Sequence, residues 1–468
     1  MNRINIKYTF LLAGILTVAI SCKVTKPYEQ PQLNTNDLYR GQQTNDTTTM
    51  ASLPWEKLFA DTVLKALIHE GLYNNLNLKI AVQKIYEAQA AFGQSKGALL
   101  PSLSANANVT RSKLSGPSLG YPAGAGPSTL TTQYQLGLST SWEADIWGKL
   151  TSAKRAAYNT LLQTDAAKRA VQTQLIADIA NTYYTLLALD KELEITSSTL
   201  QSRIKNVETM KALKESAVVN GAAVVQSEAN RYAAEVAIPD LKRSIRETEN
   251  ALDILVGRQP GALNRTKLDA QKTIDSLQTG IPSQLLKNRP DVQQAEYAFH
   301  AAFENTNVAH TYFYPQLTIT ASGGWANLQL KDFFNGSIFY NIAAGLTQPI
   351  FNQGINKARL KTAQAQQLEA LYSFQQTMLV AGQEVSNALY AYQTASEKGG
   401  ARAKEIAALT KAVDYTNELL RYSSATNYTD VLTSEQNLLA AQLDGVNDRL
   451  QQLQAVVNLY RALGGGWN

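Results

Sequence analysis

Only four stretches of this chain alternate as β-strands, and that shortage constrains everything else. Leu103, Ala105, Ala107 and Val109 interleave with Ser104, Asn106, Asn108 and Thr110, the period of two that gives a strand one apolar face. After a Gly/Pro-rich loop, Leu136, Leu138 and Trp142 alternate with Gln135, Ser139 and Glu143. The arrangement recurs at Pro315–Ala321 and again from Tyr340 through Ile342, Ala344 and Leu346 to Pro349. Each strand is about ten residues, the length of a tilted strand crossing a bilayer. A soluble sheet packed on helices would show the same alternation, so the strands alone leave both readings open.

If the strands lie in a membrane, one chain is not enough. An open sheet edge in lipid leaves backbone groups unpaired at several kcal/mol each, and the smallest transmembrane barrels have about eight strands. Three chains would supply twelve. The helical stretches favour the same picture: residues 149–216 contain neither proline nor glycine, and one helix of that length would extend roughly 100 Å. That suits a tube better than a single globular core.

The first residues read as a targeting segment. Arg3 and Lys7 precede the apolar run Phe10–Ile20, and Ala19-Ile20-Ser21-Cys22 follows. Small residues before a cysteine at this place resemble the lipobox of a bacterial lipoprotein, with residues 1–21 as signal peptide and Cys22 as the lipidation site. A plain secretory signal with an incidental cysteine is the alternative. Cys22 is the one cysteine of the chain, so no internal disulfide forms. Residues 23–50 are polar and rich in Thr, Asn, Gln and Pro, and are expected to form an extended tether. With 43 basic and 38 acidic residues and a net charge of +5, interspersed along helical segments, nothing points to nucleic acid.

The chain repeats itself. Helical spacing from Asp61 to about Gly97 precedes the first strand pair, expected at 101–143. The long helix follows, then a turn at Asn220-Gly221 and a return helix that Pro239 is expected to kink. Val224-Val225-Gln226-Ser227-Glu228-Ala229-Asn230 returns as Val431-Leu432-Thr433-Ser434-Glu435-Gln436-Asn437. The second half holds a strand pair at 315–349, a long helix from Ile355 to Tyr422, and a last helix from Thr429 to Leu463. Gly399-Gly400 is expected to loosen the second long helix. The reading divides the chain into 1–21, a tether at 22–52, a first repeat at 53–260 and a second at 261–468.

In that order the motifs resemble the outer-membrane factor (TolC-like) family, in its lipoprotein branch serving tripartite efflux pumps. Pro54-Trp55 with Asn74-Asn75-Leu76-Asn77-Leu78 is similar to the family's opening helix. Glu143-Ala144-Asp145-Ile146-Trp147-Gly148-Lys149 is similar to its strand-to-helix junction. Arg289-Pro290-Asp291-Val292, Tyr314-Pro315-Gln316-Leu317 and Leu459-Tyr460-Arg461-Ala462-Leu463-Gly464-Gly465-Gly466-Trp467 complete the match. The resemblance implies a mainly helical protein with membrane β-structure: a homotrimer forming a twelve-stranded β-barrel, four strands per chain, continuous with a long α-helical barrel. It implies a passive outer-membrane exit duct for small molecules, drugs or metals, anchored by lipid at the outer membrane of a Gram-negative bacterium. Its partners would be a periplasmic adaptor (membrane fusion protein) and an inner-membrane pump of the RND class, with no cofactor and no catalysis. A lipid-anchored periplasmic coiled-coil scaffold without a pore is the alternative.

The resemblance also places site residues. The adaptor-docking tips fall at Ala217, Asn220 and Gly221 in the first repeat and at Ser424 and Asn427 in the second. The family usually has glycine seven residues before the returning valine, where this chain has Ala217 and Ser424. Asp430 corresponds to a position lining the periplasmic aperture, where three copies would form a carboxylate ring; capping of the returning helix is the alternative. No second acid follows at Thr433. Three catalytic or metal readings are weak. Gly116-Pro117-Ser118-Leu119-Gly120 matches a nucleophile elbow outside the strand-turn-helix context it needs. His69, His300 and His310 lack helical metal spacing, and Arg289 with Asp291 reads as packing at a helix start rather than a catalytic pair.

Overall fold

The computed structural model describes residues 24–40, 47–120, 122, 130–272, 277–422 and 428–467. Its main elements are α1 (Thr62–Asn74), α2 (Leu76–Gly97), β1 (Ser102–Lys113), β2 (Leu130–Ala144), α3 (Lys149–Glu215), α4 (Gly221–Val256), α5 (Pro290–Thr311), β3 (Gln316–Asn327), β4 (Ile338–Thr347), α6 (Ile355–Tyr422) and α7 (Tyr428–Ala462). Each half of the chain thus supplies a helix, a strand pair, a long helix and a return helix. The long helices α3 and α6 contain 67 and 68 residues.

One local expectation is corrected. The helical run after Asp61 is two helices, because Asn75 ends one and begins the next. Its N–H donates to the Gly71 carbonyl, its Oδ1 accepts from the Leu78 N–H at 2.9 Å, and its Nδ2 donates to the Leu255 carbonyl at 2.9 Å. α6 passes through Gly399-Gly400 without a break; within it Arg402 bonds Asp448 of α7 at 3.1 Å. α4 likewise continues through Pro239.

The chain forms two compact units. The first comprises residues up to Gln32, Ile85–Gln163 and Ala295–Ser373, and contains the sheet. The second comprises Leu33–Lys84, Thr164–Gln294 and Phe374–Asn468. In the second unit the core is built from Leu64, Ile68, Ile176, Ile179, Tyr183, Leu187, Leu252 and Leu459, all buried. Asp61 organises one edge of it, capping α1 at the Val63 N–H (2.8 Å) and accepting from the Tyr183 hydroxyl (2.9 Å) and Gln271 Nε2 (2.8 Å). Arg289 is also buried here. It donates to Asp291, to Glu384 and to the Ala462 carbonyl at 2.9 Å, so it ties the start of α5 to α6 and to the end of α7.

In the first unit the sheet is antiparallel with strand order β1-β2-β3-β4, which leaves β1 and β4 as its edges. Its registers sort the side chains cleanly. Ala105 faces Leu138, Leu138 faces Gly323, and Gly323 faces Tyr340. On that same face lie Leu103, Val109, Leu136, Trp142, Ile319, Trp325, Ile342 and Leu346. On the other face Asn106 faces Gly137 and Ser104 faces Ser139, which in turn faces Ser322 and then Asn341. One side is mainly aliphatic and aromatic, with Arg111 and Lys113 towards one end; the other is mainly Ser, Thr, Asn, Gln and Gly, with Phe339 among them.

Candidate functional site

The strand-to-helix junction is the most densely bonded part of the first unit. Asp145 turns back on the start of α3, its carboxylate accepting from the N–H groups of Leu150 and Thr151, both at 2.8 Å. An acid there satisfies donors that a helix start leaves without partners. Gly148, at φ +77°, makes the turn between them. Trp147 Nε1 donates to the Pro315 carbonyl at 2.6 Å and its ring lies 5.0 Å from that of Tyr314. Lys149 closes the joint on Glu143 at 2.9 Å. Trp142 does the same at β1, donating to the Leu99 carbonyl at 2.9 Å.

The described N-terminal segment is held rather than loose. From Val24 to Gln32 it forms neither helix nor strand, and Asn307 of α5 takes the Lys26 backbone on both sides, accepting its N–H at 3.0 Å and donating to its carbonyl at 2.9 Å. The Tyr28 ring stacks on His300 with centroids 3.7 Å apart and lies near Phe299 and Phe303. Burial lowers the His300 pKa; Glu304 opposes that shift and Arg155 adds to it. Composition alone hid this attachment, because one asparagine on a distant helix provides it.

In the second unit the ends of α3, α4 and α7 meet at an apolar cluster of Met210, Val224, Tyr428, Val431 and Leu432. The two repeats therefore pack together through the helix ends at Met210, Val224, Tyr428, Val431 and Leu432. At the first turn, Ala217 is left-handed, at φ +54°. The Ala217 N–H donates to the Lys214 carbonyl at 3.0 Å and the Val218 N–H to the Leu213 carbonyl at 2.9 Å. This is the pairing that ends a helix on a left-handed residue, usually glycine. Asn220 then caps α4, its side chain accepting from the Ala223 N–H at 3.1 Å, and Gly221 is the first residue of that helix. Asp430 sits in the first turn of α7 and is exposed, between buried Tyr428 and Val431. Cys22, Ser424 and Asn427 lie outside the described residues.

A polar pair behind this cluster carried no sequence signal. Arg203 is buried and donates to the Asn230 carbonyl at 2.7 Å; burial lowers its pKa. Glu435 bonds Asn206, and burial raises its pKa against the opposing effects of Asn206 and Arg203. Its repeat counterpart Glu228 instead bonds Lys211 in a more exposed pair. As for the weak motifs, Ser118 donates to the Ser115 carbonyl within a hairpin loop, and His69 packs edge-on against Trp55. Among the described residues no group of three or more His, Cys, Asp or Glu could hold a metal ion. No helix of the described residues is long and apolar enough to cross a membrane.

The family model for outer membrane efflux proteins matches residues 67–258 and 281–465, one segment in each repeat. The chain belongs to the outer membrane efflux protein family. It is 30% identical over 478 residues to the solvent efflux pump outer membrane protein SrpC of Pseudomonas putida, covering 99% of both chains. It is 28% identical to the cation efflux system protein CusC of Escherichia coli, covering 98% of each. Among solved structures, the open-state MtrE outer membrane channel of Neisseria gonorrhoeae superposes with a TM-score of 0.84 at 27% identity, over 96% of this chain and 99% of that one. A structure of CusC gives a TM-score of 0.84 at 25% identity, over 95% and 100%. This efflux protein is an outer-membrane channel. Its fold class is the one the resemblance implies: four antiparallel strands per chain, joined to long helices from two repeats, as in these channels.

Proposed function

We propose that this channel is the passive exit duct of a tripartite pump, three copies closing one barrel through which small molecules leave the periplasm without chemical change. The observation that carries the reading is the sheet. One face is mainly apolar, the opposite face mainly polar, and both edges belong to strands that have a partner on one side only among the described residues. Such a sheet fits a wall with lipid outside and water inside, and it needs neighbours at both edges. A periplasmic scaffold would have no use for an exposed apolar band.

Energy would come from an inner-membrane pump of the RND class through a periplasmic adaptor docking at Ala217, Asn220, Gly221, Ser424 and Asn427, with Asp430 lining the aperture. The relatives are named for solvent and cation efflux, so the cargo class here is small organic molecules or metal ions. Lipidation at Cys22 would add an anchor. Asn307 holds Lys26, four positions after Cys22, so an acyl group on Cys22 would stay within about 13 Å of that point. The test is single-channel recording of the purified protein in a planar bilayer, beside its migration on gels with and without boiling. Stepwise conductance from a heat-dissociable trimer is expected. A monomer giving no steps would overturn the reading.

A further inference from the structure

We infer that the barrel closes between copies in one specific register, with Ala344 of β4 facing Val109 of β1 on the next copy, and Leu346 facing Ala107. The inference rests on the trimeric channel proposed above. It follows from treating the β2–β3 seam inside one chain as the template for the β4–β1 seam between chains.

The template requires that each strand be matched to its counterpart in the other repeat. β1 maps onto β3 by 214 positions, Pro101 onto Pro315. β2 maps onto β4 by 206 positions, and two independent features agree on that number. Gly148 and Gly354, the left-handed glycines immediately before the two long helices (φ +77° and +80°), are 206 apart. The hairpin ladders concur: Ser102 faces Ser141 in the first, and the residues those positions map to, Gln316 and Thr347, face each other in the second. Matching Ile146-Trp147 to Ile350-Phe351 by residue type would give 204 instead. That match breaks the hairpin correspondence, so the ladder decides against it.

Carrying the observed β2–β3 pairs across gives the new seam. Leu138 facing Gly323 becomes Ala344 facing Val109, and Thr140 facing Ala321 becomes Leu346 facing Ala107. Tyr134 facing Asn327 becomes Tyr340 facing Lys113, and Ala144 facing Leu317 becomes Ile350 facing Leu103. A check that was not built in is the face. A register wrong by one residue would place the apolar side of β4 against the polar side of β1. Here Ala344, Leu346 and Ile350 meet Val109, Ala107 and Leu103 on the apolar face, Tyr340 and Ile342 meet Lys113 and Arg111 on that same face, and Ala343 falls with Thr110 on the polar one. These side chains are largely uncovered among the described residues: Ile350 is 100% exposed, Tyr340 83%, Ile342 74%, Leu103 71% and Val109 68%. At one end the Lys113 ammonium would come beside the Tyr340 ring, a cation–π arrangement.

Cysteine pairs in the full-length protein, oxidised in the outer membrane, test this. Ala344→Cys with Val109→Cys, and separately Leu346→Cys with Ala107→Cys, should give reducible dimer and trimer bands on denaturing gels. Ala344→Cys with Ala107→Cys, the pairing expected from the 204 match, should give roughly tenfold less, because opposed Cβ atoms lie about 5 Å apart and diagonal ones about 7–8 Å. Each cysteine occurs in a pair with a different partner or has a single-cysteine control, so a folding failure shows as loss of the trimer by chemical cross-linking. Stronger bands from 344/107 overturn this register. Bands from none of the pairs, with the trimer intact, overturn it as well. Wild-type protein that is never trimeric overturns the duct and the seam together.

Discussion

Arg155 grips Glu304 with both prongs of its guanidinium, Nε to Oε1 at 2.7 Å and Nη2 to Oε2 at 3.0 Å. The partners are unequally placed, since the Arg155 side chain is 40% exposed and that of Glu304 only 3%. Removing one member of such a pair therefore has unequal effects. Arg155→Ala leaves a buried carboxylate with only Asn307 and a distant imidazole, at a cost of about 3 kcal/mol. Glu304→Ala leaves a guanidinium that can turn to water, at about 1–2 kcal/mol. Thermal melts of the purified trimer followed by helical circular dichroism should rank Arg155→Ala below Glu304→Ala.

The stack of Tyr28 on His300 makes the hold on the N-terminal segment sensitive to pH. Burial holds the His300 pKa below its ordinary 6.5, with Arg155 acting in the same direction and Glu304 against it. A group whose folded pKa is depressed contributes stability above its unfolded value, and that contribution is lost as pH falls through the folded one. Protection of residues 24–32 from protease should accordingly be full above about pH 6.5 and decline as the pH drops below it. His300→Phe keeps a stacking ring without a titrating proton and should flatten that decline. An unchanged slope in His300→Phe would assign the pH response to other groups.

Ala217 has a backbone that suits glycine better. At φ +54° an alanine carries the left-handed strain of about 1–2 kcal/mol, partly offset because glycine loses more freedom on folding. Ala217→Gly should stabilise the end of α3 by roughly 0.5–1 kcal/mol, seen as slower amide hydrogen exchange near Leu213–Val218. Ala217→Val should speed it. If adaptor helices approach this turn closely, cross-linking to the adaptor should rise in Ala217→Gly.

The elements were largely legible in the residues, and for a physical reason. Period-two alternation over ten residues and unbroken helical spacing from Lys149 are local signals, and the structure has β1 at Ser102–Lys113 and α3 at Lys149–Glu215. The break at Asn75 was harder to read, because its local cap on Leu78 is joined by a bond to Leu255, 180 positions away. The same holds for Asn307 on Lys26 and for Arg155 on Glu304, whose partners lie far apart in sequence. The left-handed Ala217 was foreshadowed only by the departure from the family's glycine. Of the site residues, Ala217, Asn220 and Gly221 gather at one turn, a clustering that follows from spacing. Which side chain faces an aperture depends on neighbouring copies, and no pattern within one chain encodes that.

Asp430 offers the sharpest test of the duct, because its backbone is anchored while its side chain is exposed. Tyr428 and Val431 on either side are buried with Met210 and Val224, so the first turn of α7 is anchored whatever residue stands at 430. Asp430→Asn removes the charge and keeps the shape and hydrogen-bonding capacity of a helix start. Three carboxylates around a narrow opening would hold a divalent cation and obstruct flow. Losing them should raise single-channel conductance and weaken block by a divalent cation on the order of fivefold, equivalent to the about 1 kcal/mol that a close charge pair contributes in bulk water. The melting temperature of Asp430→Asn should stay near that of the wild type, which separates an effect on ions from an effect on folding. Unchanged conductance and unchanged block would leave Asp430 as a helix-start acid, stabilised there by the helix dipole, with no part in the aperture.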